Sequence, residues 1–442
     1  MVTTRFAPSP TGRLHVGGLR TALFNYLWAK KNRGKFILRI EDTDRERYVE
    51  KAEEEIESIL KQFGLLWDEK YKQSERLVVY QKYAKQLVEE GRAFEETTTK
   101  GTAIRFKMPK TGTTEWTDLV YKKLQFKNEL IKDPIIIKSD GYPVYNFANV
   151  IDDHEMGITH VIRGEEFLSS TPIHLQLYRA LSWEPPQFAH VPLILDETRK
   201  KLSKRTGDVA VEEYLKKGYL KEAIINFIAL LGWNPKTTKE IFSLQELEAE
   251  FEIEKVNKAG AIFDLTKLDF LNRQWQKRLR LPAEKDPLFR RAAAILSANM
   301  QGAKISLERL TKIWPQLLER IPGPSSLEKY LPEFHFYFQK ELTYQKDLLI
   351  WKNTSTERIK QNLMFLSDYL NGLQDSDFKQ NILETKIKKV LAEQGIGTGE
   401  ALWPLRVALS GQKNSPSPFE IMDVLGKQDS LARIQKAIQK LQ

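Results

Sequence analysis

Two short motifs in the sequence carry residue types that suit phosphate chemistry. In the stretch 8–18, which reads PSPTGRLHVGG, His15 shortly precedes a pair of glycines. A strand pattern precedes this stretch and a helical pattern follows it, so His15 falls at a helix N-terminus, where free N–H groups and partial positive charge favour phosphate. Gly17 and Gly18 leave space for a nucleotide against the backbone. Taken alone, such a motif is more often a plain loop with a surface histidine.

The second motif is the basic stretch 201–205, which reads KLSKR. Lys201 and Lys204 could close on a triphosphate and neutralise the charge that builds up in a transition state. By itself such a stretch is usually a solvated basic loop. The two motifs follow the first and the last strand of one predicted sheet, and this combination is what indicates a site.

The segments that position these motifs alternate strand and helix patterns. Strands are predicted over 3–7, 35–40, 159–162 and 188–195, and helices over 17–34, over 56–63 and from Thr171-Pro172 onward, with Thr171 as the cap. This succession is typical of an α/β fold with a parallel sheet and helical crossovers. Between them, 103–108 and 133–145, the latter folded at 139–141, are predicted as antiparallel strands of an inserted domain. Beyond residue 210 the apolar spacing is helical, and the final third shows no convincing set of strands.

The composition narrows the class of protein. Among 442 residues, 69 Lys and Arg stand against 59 Asp and Glu, and the net charge of +10 suits a polyanionic partner such as RNA. The absence of cysteine excludes disulfides, thiolate–zinc sites and a cysteine nucleophile. No apolar run reaches the roughly 18–20 residues of a membrane span, and the N-terminus has no signal pattern. We therefore expect a cytoplasmic protein without a membrane partner.

The two motifs resemble those of class I aminoacyl-tRNA synthetases, and further stretches narrow the resemblance to glutamyl-tRNA synthetases. Those stretches are 5–12, 39–44, 140–143, 145–154, 162–166 and 403–406. The resemblance spans nearly the whole chain and is weakest between about 285 and 395. It implies that the chain activates L-glutamate with ATP to glutamyl-adenylate and transfers it to the 3′-terminal ribose of tRNA(Glu).

The resemblance also implies a domain organisation. A Rossmann-like parallel-sheet catalytic domain would be split into 1–94 and 151–198 by an inserted α/β acceptor-end-binding domain over 95–150. A stem-contact domain with the KLSKR loop would follow over 199–285, and an all-α anticodon-binding region over 286–442. Members of this family are generally monomers and activate glutamate productively only when tRNA is bound, so we expect both here.

Site residues follow from the resemblance, position by position. The catalytic residues would be His15, Lys201 and Lys204. The glutamate-binding residues would be Arg5, Ala7, Ser9, Glu41, Tyr145, Asn149 and Arg163. The ATP-binding residues would be Pro8, Thr11, Gly12, His15, Gly17, Gly18, Glu166, Leu202 and Lys204. Arg47 and Arg406 would contact tRNA.

The predicted glutamate site has a physical rationale of its own. Arg5 and Arg163 both stand at C-terminal ends of predicted strands, the edge where ligands bind in parallel sheets. A guanidinium pairs with a carboxylate but offers only donors to the amide of glutamine, so glutamine would be rejected. Glu41 would then take the α-ammonium group.

Metals enter this interpretation only through ATP, whose phosphate oxygens favour Mg²⁺. Some members of the family carry zinc in the insert, mainly on cysteines, and none is expected here. The pair Asp152-Asp153, close to His154 and His160, could be taken for a metal site, but the spacing fits no ligand set and a hydrogen-bonding role is favoured. Trp314 and the aromatic cluster 334–338 are interpreted as core.

Alternative interpretations remain at this point. Glutaminyl-tRNA synthetases share the catalytic architecture but end in β-barrels, whereas this chain ends in helices. Truncated relatives that glutamylate a modified tRNA base lack the helical third. A non-catalytic RNA-binding paralogue would have lost some of His15, Lys201, Lys204, Arg5 and Arg163. Arg406 could instead form an interhelical salt bridge, and charging of tRNA(Gln) stays open because the arginine that reads the third anticodon base cannot be placed.

Overall fold

The computed structural model describes residues 1–99, 101–202, 210–299 and 305–442. The chain divides into two compact units, Met1–Arg280 and Leu281–Gln442. The first unit mixes strands and helices, and the second is helical. Within the described residues, no helix combines the length and apolar character needed to cross a membrane.

The strands of the first unit are short and lie mostly in its N-terminal two thirds. They are β1 (Thr3–Phe6), β2 (Lys35–Ile40), β3 (Glu69–Lys72), β4 (Ala93–Thr98), β5 (Gly101–Phe106), β6 (Thr113–Asp118), β7 (Lys122–Lys127), β8 (Ile135–Ile137), β9 (His160–Gly164), β10 (Gln187–Val191), β11 (Ile194–Leu195) and β12 (Ala261–Ile262). The helices are α1 (Val16–Lys31), α2 (Ala52–Gln62), α3 (Leu77–Glu89), α4 (Tyr145–Glu155), α5 (Thr171–Ala180), α6 (Val211–Lys216), α7 (Lys221–Leu230), α8 (Leu244–Glu250) and α9 (Leu265–Leu279).

The predicted parallel sheet is present and reverses its winding at one point. β1, β2 and β3 pair in parallel in that order, and β9 pairs in parallel with β10. Thr159, just before β9, donates its N–H to the Thr3 carbonyl of β1 (3.0 Å). The strands that follow β1 in sequence are therefore added on one side of it, and β9 and β10 are added on its other side. The C-terminal ends of these two strands flank the switch point, where parallel sheets bind ligands.

Helix α1 covers this sheet because its apolar residues recur at helical spacing. Leu19, Leu23 and Leu27 are fully buried in the core that also takes in residues of β2 and α7. The helix fixes the loop that precedes it, since its first turn begins directly after His15.

The middle of the chain is antiparallel, as predicted, but its strands differ in detail. β4, β5 and β8 form one antiparallel sheet, and β6 and β7 form a hairpin. The hairpin also joins the strands of the parallel sheet, because Phe188 of β10 pairs in parallel with Asp118 of β6. A strand hairpin over 133–145 was the wrong expectation. Its first arm is β8, but the second is reduced to a bridge at Pro143, which has no N–H to donate, and the chain then enters α4.

Two further expectations need correction. The predicted strand 188–195 is divided at Pro192 into β10 and β11, because proline cannot continue the hydrogen-bond ladder. Thr171 is not a helix cap: a 3₁₀-helix, Glu165–Ser170, leads straight into α5, and Thr171 already has helical torsion angles. Its hydroxyl bonds back to the Phe167 carbonyl (3.1 Å).

The second unit has its own hydrophobic core. Its helices are α10 (Pro287–Asn299), α11 (Leu307–Arg320), α12 (Leu327–Tyr330), α13 (Thr356–Asn371), α14 (Gln380–Glu393), α15 (Thr398–Ser410) and α16 (Pro418–Lys440), the last broken at Gly426. Its described residues form no strand, as predicted. Trp314 and Phe334, Phe336 and Tyr337 are buried in this core, which confirms their interpretation.

Candidate functional site

Arg5 lies at the switch point of the parallel sheet and is held by an acidic residue of α4. Its Nε donates to Asp153 Oδ1 (2.9 Å), and the same oxygen accepts from Arg39 of β2 (2.7 Å). Both arginines are buried. Burial opposes ionisation of Asp153, but the charges of Arg5 and Arg39 outweigh it and lower its pKa. Asp153 is thus an ionised anchor for Arg5, which confirms the hydrogen-bonding role predicted for this segment.

Asp152, the preceding residue of α4, has a different set of hydrogen-bond partners. Its carboxylate accepts from Gln73, Arg76 and Tyr80, each at 2.8 Å. Among the described residues, no group of three or more His, Cys, Asp or Glu side chains is arranged to hold a metal ion.

Glu41, predicted to bind an ammonium group, lies directly after β2 and is buried. Its Oε1 accepts from Arg39 (3.2 Å) and from Asn149 Nδ2 of α4 (3.2 Å). Burial raises the pKa of Glu41 in spite of Arg39 and Arg5. The Asn149 Oδ1 is buried without a hydrogen-bond partner, so this corner holds one acceptor that a ligand could use.

Arg163, on β9, is 4% exposed and is surrounded by neutral acceptors. It donates from Nε to His190 Nε2 (3.1 Å) and from its terminal nitrogens to Thr171 (2.8 Å), to His174 Nδ1 (3.2 Å) and, more weakly, to the Tyr145 hydroxyl (3.4 Å). No carboxylate of the described residues lies within 4 Å of it, by contrast with Arg5 and Arg39. Burial lowers the pKa of Arg163, with a further contribution from the Arg5 charge. Within the described part of the chain this buried guanidinium contacts no carboxylate, which is the arrangement that an anionic ligand would complete.

The loop that follows β1 is tied to the segment that follows β2. Glu41 donates its N–H to the Pro8 carbonyl (3.0 Å), and Thr11 donates to the Ser9 carbonyl (2.8 Å). Ala7 and Pro8 are half-buried, Ser9 and Thr11 are exposed, and Gly12 has a φ of +146°. The predicted residues of this loop therefore lie at the ligand edge of the sheet.

His15 caps α1 with its own side chain. Its Nδ1 accepts from the Gly18 N–H (2.9 Å), so one of the free donors predicted for phosphate is already used. The absence of side chains at the two glycines has a local reason too: a Cβ at Gly17 would lie 3.1 Å from His15 Nδ1 and one at Gly18 would lie 2.7 Å from Leu14 Cδ1. The His15 backbone also forms an antiparallel bridge to Ala210, the first described residue after 203–209.

The KLSKR segment begins beside β11, on the chain that returns antiparallel to it after the turn at 196–200. Lys201 forms an antiparallel bridge to Leu195 and is exposed, and Leu202 packs against the core and donates its N–H to the Ile194 carbonyl (2.9 Å). Asp196 Oδ1 closes the preceding turn by accepting from the N–H groups of Thr198 and Lys200. Lys204, together with Ser203 and Arg205, lies outside the described residues.

Two other predicted residues of the first unit, Glu166 and Arg47, make no described hydrogen bond to Arg5 or Arg163, and a third, Arg406, belongs to the second unit. Glu166 is exposed in the 3₁₀-helix after β9, folded over Gly164. Arg47 is exposed and pairs with Asp44 (2.7 Å). Arg406, in the second unit, stacks on Trp403 and donates to the carbonyls of Lys413 (2.8 Å) and Ser415 (3.5 Å). Its described contacts include no carboxylate, so the alternative of an interhelical salt bridge is wrong.

The pocket also uses residues that the sequence prediction missed, namely Arg39, Asp153, Thr171, His174 and His190. Asp153 could have been found, because Tyr145, Asn149 and Asp153 recur every four residues on one helix face. His190 could not, because it meets Arg163 through the register of two parallel strands that are far apart in sequence.

Comparison with known proteins agrees with this geometry. Residues 1–103 and 97–270 match the family described as tRNA synthetases class I (E and Q), catalytic domain, and residues 288–438 match an anticodon binding domain. The chain is 41% identical to a glutamate–tRNA ligase of Clostridium novyi and 38% identical to one of Prosthecochloris aestuarii, in each case over 100% of this chain and 98% of the relative.

Solved structures give the same result. A crystal structure of a glutamate tRNA ligase from Elizabethkingia meningosepticum in complex with its amino acid matches with a TM-score of 0.86 and 33% identity, over 100% of both chains. A glutamate–tRNA synthetase from Elizabethkingia anophelis matches with a TM-score of 0.86 over 99% of both chains. The chain thus shares its fold with these proteins over its full length, and it belongs to the glutamate–tRNA ligase family of class I aminoacyl-tRNA synthetases.

Proposed function

We propose that this chain joins L-glutamate to tRNA(Glu) by way of glutamyl-adenylate. The observation that carries the proposal is Arg163, a buried cation whose described partners are all neutral. Of the three substrates of such a reaction, the glutamate side chain is the one that offers a small carboxylate to this position. A bidentate pair between guanidinium and carboxylate would supply the missing charge, which glutamine could not do.

The other groups of the pocket orient the amino acid. Asp153 uses the Nε of Arg5, which leaves the terminal amino groups of Arg5 for the substrate. Glu41 and the unpartnered Asn149 Oδ1 are the acceptors for the α-ammonium. Tyr145 lies against Arg163 on the side of α4 and closes the pocket. Ala7 and Ser9 line its entrance through the loop after β1.

ATP would bind beside this pocket, between the start of α1 and the KLSKR segment. His15, Gly17 and Gly18 bring the helix N-terminus to the phosphates, together with Pro8, Thr11, Gly12, Glu166 and Leu202 as the other proposed contacts. Lys201 and Lys204 neutralise the charge that develops on the α-phosphate and pyrophosphate when the glutamate carboxylate attacks. Mg²⁺ would enter with ATP and be held by its phosphate oxygens.

The RNA partner follows from the family and the charge. tRNA(Glu) would be contacted by Arg47 in the first unit and by the face of α15 that carries Arg406 and Trp403 in the second. We further propose a monomer that acts in the cytoplasm and activates glutamate only in the presence of tRNA.

Aminoacylation with purified tRNAs tests the proposal. Radiolabelled glutamate should be esterified to tRNA(Glu), while glutamine should not be esterified to either tRNA(Glu) or tRNA(Gln). Glutamylation of tRNA(Gln) in the same series would identify a non-discriminating enzyme. The proposal would be abandoned if purified protein transferred glutamine, or neither amino acid, under conditions in which a control glutamate–tRNA ligase charges tRNA(Glu).

The timing of activation has a separate test. ATP–pyrophosphate exchange should be low with glutamate and ATP alone and rise when tRNA(Glu) is added. Robust exchange without RNA would refute the tRNA requirement but not the ligation. Lys204→Ala should slow adenylate formation more than it weakens glutamate binding, and an unchanged rate would remove Lys204 from the mechanism.

A further inference from the structure

We propose that Asp118 and His190 are positioning residues that aim Arg163 at the substrate carboxylate: Asp118 fixes which nitrogen of His190 carries the proton, and the other nitrogen holds Arg163. The inference rests on the proposed function, because it assumes that Arg163 binds glutamate.

The three side chains form a continuous buried chain of hydrogen bonds. Arg163 Nε lies 3.1 Å from His190 Nε2, and His190 Nδ1 lies 2.6 Å from Asp118 Oδ2. All three residues are buried. His190 and Arg163 are direct partners in the pairing of β9 with β10, so the sheet itself sets their contact.

The chemistry of arginine determines the direction of every bond in this chain. A guanidinium carries donors only, so His190 Nε2 must be the acceptor and cannot carry a proton. The proton of the neutral imidazole is then on Nδ1 and is donated to Asp118. A protonated His190 would turn a donor and a positive charge toward Arg163. Asp118 therefore acts on Arg163 through the tautomer of His190, although it does not touch the guanidinium.

Asp118 also connects this pocket to the β6–β7 hairpin. It ends β6, and its Oδ1 accepts from the N–H groups of Val120 and Tyr121 (2.9 Å each), which shapes the hairpin turn. The Tyr121 hydroxyl in turn donates to Glu165, directly after β9. The hairpin lies within the segment predicted to bind the acceptor end of tRNA. A displacement of the hairpin would thus move Asp118 relative to His190 and so change the hydrogen bond from Arg163 to His190.

Arg163 has a second imidazole partner, which makes the role of His190 separable. His174 Nδ1 accepts from a terminal nitrogen of Arg163, and His174 Nε2 donates to Asn146 Oδ1 (2.9 Å). None of the described hydrogen-bond partners of His174 is a carboxylate. The tautomer of His190 is the one that a carboxylate controls, and it can be changed without touching His174.

The substitution Asp118→Asn changes one atom type and reverses the tautomer. The amide oxygen can keep the turn bonds to Val120 and Tyr121, while the amide N–H₂ faces His190 Nδ1 as a donor. His190 would then carry its proton on Nε2, so that two N–H donors, one from His190 and one from Arg163, would face each other. We expect the KM for glutamate in aminoacylation to rise about 10- to 100-fold, as for a buried donor left without an acceptor, and the KM for ATP to change less than about twofold.

Two substitutions at His190 test its hydrogen bond to Arg163 and its hydrogen bond to Asp118 separately. In His190→Gln the amide reaches the position of Nε2 and its oxygen can accept from Arg163, so the KM for glutamate should stay within about threefold of the wild type. In His190→Asn the amide reaches the position of Nδ1, keeps the bond to Asp118 and leaves Arg163 without its acceptor, so the KM should rise as in Asp118→Asn. Equal effects of the two variants would overturn the proposal.

Nitrogen-15 NMR of histidine-labelled protein reads the tautomer directly. The chain has six histidines, and the resonances that disappear in His190→Gln identify His190. The wild type should show the proton on Nδ1 and Asp118→Asn should show it on Nε2. A merely structural role of Asp118 would leave the tautomer unchanged, and that result would overturn the proposal.

The variant Arg163→Lys separates failure of this inference from failure of the proposed function. If Arg163→Lys leaves the KM for glutamate unchanged, Arg163 does not bind glutamate and both proposals fall. If Arg163→Lys raises that KM while Asp118→Asn does not, the positioning role alone is overturned. Thermal unfolding checks that each variant is folded, and should Asp118→Asn not fold, the His190→Gln and His190→Asn pair decides the matter by the same KM comparison.

Discussion

Arg163 in the first unit and Arg433 in the second are both buried with no carboxylate within salt-bridge distance among their described partners, and the two differ in what surrounds them. Arg163 in the first unit is 4% exposed and donates mainly to side chains that have a choice of proton or rotamer: His190, His174 and Thr171. Arg433 in the second unit is 6% exposed and donates to the backbone carbonyls of Leu409 (2.5 Å), Phe336 (2.8 Å) and Gln339 (2.8 Å).

The difference fits the binding role proposed for Arg163 and a structural role for Arg433. Carbonyls at helix and turn ends are fixed by the fold, and they need a donor whether or not a ligand is present. Imidazoles and hydroxyls can exchange donor and acceptor roles. They accept hydrogen bonds from a guanidinium but leave its positive charge without a counterion. Burial lowers the pKa of both arginines, that of Arg433 to about 10. In the first unit a ligand anion can offset the unfavourable free energy of burying the charge. In the second unit hydrogen bonds to backbone carbonyls offset it.

The largest effect is expected on activity, from Arg163→Met. The methionine keeps the length of the side chain and removes the charge, so kcat/KM for glutamate in aminoacylation should fall about a thousandfold. Unfolding by denaturant should be affected less than in the Arg433 variant below, because His190, His174 and Thr171 can rearrange their protons. An active Arg163→Met enzyme would place Arg163 in the same structural class as Arg433.

The matched substitution in the second unit, Arg433→Met, should act on stability instead. Three carbonyls lose their donor, and we expect the free energy of unfolding to fall by about 2–4 kcal/mol. Measured at saturating tRNA, the KM for glutamate should be unchanged. A rise in that KM comparable to that of an Arg163 variant would erase the distinction between the two arginines.

A third prediction concerns pH. Burial lowers the pKa of His154, His160, His174 and His190 in the first unit, while in the second the same holds for His335. Below the unfolded value of about 6.5 the unfolded chain binds protons that the folded chain does not, so stability present above that pH is lost as pH falls toward the folded pKa values. The raised pKa of Glu41 opposes this, because between its unfolded and folded pKa values the folded chain binds a proton that the unfolded chain does not.

The first unit should therefore lose about 1–2 kcal/mol more than the second between pH 7 and 5.5. Hydrogen exchange of the full chain, corrected for the intrinsic rate at each pH, measures both units in one experiment. Equal loss of protection in the two units would contradict the neutral state of the imidazoles around Arg163.

The smallest effect is expected from Tyr145→Phe. The hydroxyl accepts a long bond of 3.4 Å from Arg163, and four other acceptors remain around that guanidinium. The KM for glutamate should rise about threefold, with kcat and stability unchanged. A loss as large as that of Arg163→Met would mean that Tyr145 contacts the substrate directly rather than through Arg163.

Much of the architecture was predictable because it depends on local pattern. The strand 35–40 is found as predicted, α1 begins one residue before its predicted start, and the second unit is helical throughout its described residues. Errors occurred where tertiary pairing decides the outcome: the second arm of 133–145 lacks a full partner strand, and Thr171 is drawn into the bonding around Arg163. The hydrogen-bonding role of Asp152 and Asp153 was predicted, but their partners were not.

The sequence by itself determined the family, the two phosphate motifs and the positions of Arg5 and Arg163 at strand ends, because these depend on residue order and short-range periodicity. Only the tertiary structure decided that Arg5 has a carboxylate partner while Arg163 has none among the residues described. It also decided that His15 uses its side chain to cap its own helix and that Asp118 reaches Arg163 through His190. These contacts join residues that are far apart along the chain, through strand register and helix packing. Charge compensation in a buried pocket depends on those distances rather than on composition.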